Sequence, residues 1–242
     1  MPLRVVLVRP RTGENVGFAV RLCANFGCAP PWLVAPAPGW QMGAARTAAM
    51  CPDLLAATRV VADLPAAIGD CSHVIGMTAR TGRDRWVRPG TNLVADLGAL
   101  PPTEDVALLF GNEESGLATG EIACCTALYR IHTVGLASLN LSHAVGVVLW
   151  EATAHSGKPA EHHAPKRFTT TAERERLRRE VTELLHDLGF PTADPHYAGA
   201  MQRLLQSQAI EGRDLRMLHR IARHLKHVMG KAAGTGDVNG DH

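Results

Sequence analysis

Lysine is missing from the first 157 residues of this 242-residue chain; eleven arginines stand there against twelve carboxylates, a net of −1. Residues 158–242 hold 14 lysines and arginines against 11 acids, so the mild excess of +2 over the whole chain sits in the tail. Such a balance offers no argument by itself for a nucleic-acid partner. Aromatic residues are scarce at 5%, which leaves alanine, valine, leucine and glycine to carry the packing. No apolar run approaches the ~20 residues of a membrane span. The N-terminal "MPLRVVLVRP" is too short and too soon interrupted for a signal peptide. A soluble, cytoplasmic protein is expected.

Paired-cysteine spacing is also absent. The six cysteines, at 23, 28, 51, 71, 124 and 125, include no CxxC, and the adjacent Cys124 and Cys125 suit neither a routine disulfide nor a zinc site. They read as small buried hydrophobes in a reducing compartment. No GxGxxG and no GxxxxGK[ST] follows any apolar run, which disfavours a dinucleotide or P-loop site. His155, His162 and His163 fall in or beside a linker without a companion cluster, so no metal is expected.

What is present is an alternation. Short apolar runs, "LRVVLV" (3–8), "WLVA" (32–35), "RVVA" (59–62), "HVIGMT" (73–78), "DVALLF" (105–110) and "YRIHTV" (129–134), are separated by helical patterns. "NVGFAVRLCANFG", "GAARTAAM", "LATGEIACC" and "SLNLSHAVGVVLWEATAH" are the helical ones. This order predicts an α/β fold, a parallel sheet with helices on both faces. "SGKPAEHHAPKRF" then reads as a linker. Thr170 and Glu173 open a capping box, followed by a stripe through Leu177, Val181, Leu184, Leu185 and Leu188. Two more helices are expected at about 196–208 and 211–229, the second burying Leu218, Ile221, Ala222, Leu225 and Met229. The expected organisation is a domain over 1–157, a linker over 158–170, a helical extension over 171–230 and a disordered tail over 231–242.

In an open parallel sheet, ligands bind in the loops after the strands. Here those loops are "RPRTGENVG", "TARTGRDRW", "GNEESGL" and "GLASLNLS", each polar or glycine-bearing. Single glycines after several strands suggest backbone approaching a ligand that lacks a pyrophosphate. A nucleoside-bearing ligand would fit.

Three spacings within these loops are specific. Asn15, Gly17 and Arg21 make Asn-x-Gly-x-x-x-Arg; Gly111, Glu113, Gly116 and Leu117 lie in Phe-Gly-x-Glu-x-x-Gly-Leu; Ser138, Leu139 and Asn140 make Ser-Leu-Asn. In this order, across residues 3–155, the chain resembles the TrmH-type SPOUT RNA 2′-O-methyltransferases. The resemblance implies a trefoil knot in the C-terminal part of the α/β domain and a homodimer whose sites draw on both subunits. It also implies S-adenosyl-L-methionine at Met77, Thr78, Ala79, Gly111, Ile131, Ala137, Ser138 and Leu139. The reaction would be methyl transfer to a ribose 2′-hydroxyl, needing positioning and alkoxide stabilisation rather than a metal. Arg21 is expected at the reacting centre. A guanidinium with a pKa above ~12 is a poor proton acceptor, so it is read as a clamp on phosphate and alkoxide. Asn15, Glu113 and Asn140 would orient it, and Ser138 would line the pocket. Arg80, Arg83, Arg85 and Arg88, around Trp86, are candidate grips on RNA phosphates.

The tail "LGFPTADPHYAGAMQRLLQSQAIEGRDLRMLHRIARHL" is similar to the extension of the TrmJ branch, which implies tRNA and the 2′-hydroxyl of cytidine or uridine 32. A 2′-O-methyltransferase for ribosomal RNA or the tRNA D-loop, and a catalytically silent RNA-binding homologue, are the alternatives.

Overall fold

The computed structural model describes residues 2–80, 86–154, 167–205 and 209–234. Seven parallel strands form one sheet: β1 (Leu3–Val8), β2 (Trp32–Val34), β3 (Arg59–Val61), β4 (His73–Met77), β5 (Val87–Pro89), β6 (Val106–Phe110) and β7 (Ala127–Arg130), in the order β3-β2-β1-β6-β4-β7-β5. Successive side chains on a strand point to opposite faces. Val5 and Leu7 of β1, with Val106, Leu108 and Phe110 of β6, therefore enter one core, while Val6, Val8, Ala107 and Leu109 enter another. The first core is closed by α1 (Gly13–Asn25), α5 (Leu93–Gly98) and α7 (Leu141–Ala154), and the second by α4 (Leu64–Ile68) and α6 (Thr119–Ala123). Because both faces are covered, the inner strands are apolar throughout instead of alternating.

Two short helices, α2 (Trp40–Thr47) and α3 (Pro52–Ala56), complete the first half. The crossing of α1 on α2 explains one motif residue. A Cβ on Gly17 would lie 2.1 Å from Thr47 Oγ1 and 2.4 Å from the Ala44 carbonyl oxygen. Gly17 thus serves helix packing.

The expected strand at 129–134 is displaced: β7 ends at Arg130, and Ile131 onward is loop. Its edge partner β5, too short to show an apolar pattern, stops at Pro89 opposite Arg130, where proline has no N–H to continue the ladder.

The extension comprises α8 (Thr171–Asp187), α9 (Pro195–Leu205) and α10 (Gly212–Gly234). Thr170 and Glu173 do form the capping box. Residues 155–166, 206–208 and 235–242 lie outside the described residues, and with them most of the expected linker, the end of the 196–208 helix and most of the expected tail. Helix α10 runs four residues past the boundary set at 230. Its buried stripe is rotated from the expected one. Leu215 and Ala222 are buried, whereas Leu218, Ile221 and Leu225 are exposed because α8 covers only one edge of the apolar arc.

The extension is sewn to the amino ends of the strands. Thr171 and Ala172 donate their amides to the carbonyls of Cys71 (2.9 Å) and Gly69 (3.0 Å). Arg174, with no exposed surface, donates through one terminal nitrogen to the Ser72 (2.9 Å) and Thr169 (2.5 Å) carbonyls, and through the other to Thr171 Oγ1 (3.2 Å). Burial lowers its pKa to about 10. His73 packs edge-on against Phe168, and burial, then the nearby Arg174 charge, lowers it to about 4.

Candidate active site

At the carboxyl ends of β4, β6 and β7, which are neighbours in the sheet, three loops enclose a cavity of about 320 Å³. The loop after β4 contributes Met77, Thr78, Ala79 and Arg80. The loop after β6 contributes Phe110 through Leu117, and the loop after β7 contributes Ile131, Thr133, Ala137, Ser138 and Leu139, with Leu141 and Ala144 of α7 behind them. All eight positions expected to hold the cofactor lie on this wall.

The loop after β6 is a tight fold-back. Asn112 and Gly116 form an antiparallel bridge, Gly116 donates its amide to the Asn112 carbonyl (2.7 Å), and Gly116 sits at φ 63°. Asn112 Oδ1 accepts from the amides of Glu114 (2.8 Å) and Ser115 (3.2 Å), and Asn112 Nδ2 donates to the Arg9 carbonyl (2.9 Å). Gly111 is crossed by this returning chain. A Cβ there would stand 2.2 Å from both Gly116 C and Leu117 N.

Glu113 ties this loop to the one after β1. Its Oε2 accepts the Arg11 amide (2.9 Å), and its Oε1 accepts the Thr12 amide (3.1 Å), Thr12 Oγ1 (2.6 Å) and Asn15 Nδ2 (2.9 Å). The carboxylate therefore sits at the amino end of α1, where unsatisfied N–H groups and the helix dipole favour negative charge. Partial burial pushes Glu113 upward, but the hydrogen bonds from Asn15, Thr12 and the Arg11 amide outweigh it and hold the carboxyl at about 2. Arg9 stands beside this strut at φ 52° and binds Glu121 through Nε (2.8 Å) and Nη2 (2.9 Å). Neither Arg9 nor Glu121 lies in the three motifs, and only their separation in sequence concealed the pair.

A depressed folded-state pKa stabilises the fold above the ordinary value of 4.5 and loses that contribution as pH falls toward 2. Glu113→Gln should therefore cost roughly 1–2 kcal/mol at pH 7, after a discount for solvent screening of this half-exposed group. The gap to wild type should narrow steadily below about pH 5, as urea unfolding at pH 7, 5 and 3 would measure.

The other expected catalytic residues are placed as follows. Asn15 is buried and spends its amide on Glu113 and Thr12. Asn140 caps α7, its Oδ1 accepting the Ser142 amide (2.9 Å) and Ser142 Oγ (2.8 Å). Ser138 lines the cavity. Arg21 is exposed on α1 and is not on the cavity wall. Among the described residues of this one chain, the hydrogen bonds of Asn15, Glu113 and Asn140 all go to partners other than Arg21. Of the candidate RNA grips, Arg80 lines the cavity, while Arg88 donates to Asp96 (2.8 Å) and lies 4.7 Å over the Trp86 ring. Arg83 and Arg85 lie outside the described residues, as do His155, His162 and His163. Among the described residues no cluster of three or more His, Cys, Asp or Glu could hold a metal, and no helix is long and apolar enough to cross a membrane.

A parallel sheet with a glycine-walled cavity where three strand-end loops converge is the architecture of the SPOUT methyltransferases. The chain belongs to the SpoU rRNA Methylase family, whose sequence model matches residues 2–150. It is 30% identical over 244 residues to the Pseudomonas aeruginosa tRNA (cytidine/uridine/adenosine-2′-O-)-methyltransferase TrmJ, covering 93% of this chain and 94% of that one. The Klebsiella pneumoniae tRNA (cytidine/uridine-2′-O-)-methyltransferase TrmJ is 28% identical over 232 residues, covering 89% and 93%. Among solved structures, TrmJ from Zymomonas mobilis ZM4 superposes with a TM-score of 0.76 at 29% identity, over 93% of this chain and 99% of that one.

Proposed function

We propose that this chain is a cytoplasmic, S-adenosyl-L-methionine-dependent tRNA ribose 2′-O-methyltransferase acting on a pyrimidine, nucleotide 32 being the first position to map. The observation that carries the reading is the cavity itself: every position expected to touch the cofactor lines it, although those positions come from three separate loops. The fit is physical as well as positional. Its wall combines apolar surface from Met77, Phe110, Ile131 and Leu141 with close backbone at Gly111, which suits a nucleoside held largely by main chain. The relatives' names agree on tRNA and on cytidine and uridine, with adenosine added for the Pseudomonas protein.

S-adenosyl-L-methionine, when bound, supplies a methyl group already activated by its sulfonium. What remains for the protein is to orient the ribose hydroxyl, steady the developing alkoxide and exclude water. Glu113 holds the loop after β6 against the start of α1 and so sets the cavity's rim. Arg21 clamps phosphate and alkoxide from a second subunit. It projects from the exposed side of α1, one turn from Phe18, and Phe18, Val147 and Trp150 leave an apolar surface on α1 and α7 exposed in the single chain. A homodimer across that surface supplies the partner's Arg21 to this cavity and accounts for its distance from its own.

The test is methyl incorporation from labelled S-adenosyl-L-methionine into unmodified tRNA and ribosomal RNA, followed by nucleoside analysis. A 2′-O-methylpyrimidine in tRNA is expected. Arg21→Ala should lower the turnover rate by roughly 10²–10³-fold, with cofactor affinity within twofold of wild type. Label in ribosomal RNA alone would redirect the substrate; cofactor binding without transfer to either RNA would favour a silent RNA-binding homologue.

A further inference from the structure

The cavity wall contains one polar group that nothing so far described employs. Thr133 lines the cavity in the loop after β7, and its Oγ1 is buried without a hydrogen-bond partner among the described residues. Of the neighbouring polar side chains on the wall, Arg80 and Ser138 are already read as facing RNA and substrate, whereas Thr78, Asn112, Glu113 and Glu114 are committed to the protein, Glu114 pairing with Arg11. Thr78 Oγ1 accepts the Arg80 amide (3.1 Å), Asn112 holds its own turn, and Glu113 is saturated by the start of α1. A buried hydroxyl left unpaired is destabilising, and such groups in native proteins ordinarily answer to a ligand, a water or a function.

We propose that the Thr133 hydroxyl is the side-chain partner of the cofactor's adenine edge. The inference rests on the S-adenosyl-L-methionine reading and deepens it. Met77, Phe110, Ile131 and Leu141 give the surrounding wall the apolar character that a flat heteroaromatic ring prefers. An adenine edge presents a donor amine beside a ring-nitrogen acceptor, and a threonine hydroxyl can donate and accept at once. Valine has the same shape without the hydroxyl, so Thr133→Val separates hydrogen bonding from packing.

The experiment is calorimetric titration of the wild type, Thr133→Val and Thr133→Ser with S-adenosylhomocysteine and its analogue lacking the 6-amino group (an unsubstituted purine base, which keeps the ring-nitrogen acceptor but offers no donor), alongside thermal melts of the ligand-free proteins. Wild type and Thr133→Ser should prefer the adenine ligand. Thr133→Val should bind S-adenosylhomocysteine about 5–10-fold more weakly and lose discrimination by the same factor, the size of one neutral hydrogen bond. Ligand-free Thr133→Val should nevertheless melt higher than wild type by ~2–4 °C, because an unpaired buried hydroxyl has been removed. Opposite signs in the two measurements are the signature. Unchanged affinity in Thr133→Val, equal weakening toward both ligands, or a lower ligand-free melting temperature would each overturn the assignment. Failure of the wild type to bind S-adenosylhomocysteine would instead overturn the cofactor reading beneath it.

Discussion

Gly111→Ala should abolish measurable cofactor binding, a loss of at least ~100-fold in affinity, equivalent to about 2.7 kcal/mol. The added Cβ meets Gly116 C and Leu117 N at 2.2 Å and Gly116 O at 2.6 Å. All three are main-chain atoms, so no side-chain rotation relieves the overlap. The returning chain must move by more than 1 Å to restore van der Waals contact, and that chain is one wall of the cavity. Overpacking of this kind typically costs 1–3 kcal/mol of stability as well. The Glu113 strut is expected to transmit part of the shift to Thr12 and Asn15. Calorimetric titration with S-adenosylhomocysteine and a urea melt of the same variant check both effects. Near-native affinity would mean that the backbone crossing at Gly111 does not shape the binding site.

The second large effect lies at the other end of the sheet. Arg174→Ala should destabilise the protein by about 3 kcal/mol, lowering Tm by roughly 6–12 °C for a chain of this size. Three acceptors, the carbonyls of Ser72 and Thr169 and the hydroxyl of Thr171, lose their donor at once, and a fully buried side chain leaves a void. Arg174→Met fills most of that void without bringing a charge into the interior, so it should lose less than the alanine variant. Because Ser72 immediately precedes β4 and the cavity lies beyond the strand's far end at Met77, cofactor affinity should stay within twofold of wild type in both. Preferential proteolytic release of α8–α10 from the alanine variant would show that Arg174 docks the extension. Equal stability of Arg174→Ala and wild type would remove that role.

The alternation of apolar runs with helical patterns was enough to reach a parallel α/β sheet, since strands buried on both faces and helices buried on one leave different periodicities. The capping box at Thr170 and Glu173 was legible because both partners lie within four residues. Edge strand β5 was not, because three residues ending in proline carry no pattern, and neither was the end of β7, which depends on β5. The α10 stripe shows the same limit. Helical spacing defines an apolar arc, but which part of the arc is covered depends on where α8 lies.

The site divides in the same way. By itself the sequence determined which residue types stand after which strands: glycines where backbone must come close, a carboxylate at 113, an arginine on the first helix. These are local choices of conformation and charge, and each is readable within a few positions. Only the tertiary structure decided their uses. Glu113 became a strut across some hundred residues, Gly17 a helix contact and Asn140 a cap, and Arg21 was set apart from its own cavity. Thr133 acquired a buried hydroxyl without a partner among the described residues because β7 stops at Arg130 and leaves it in the loop that follows. Partners so distant along the chain are fixed by strand order and loop closure, and no local pattern encodes those.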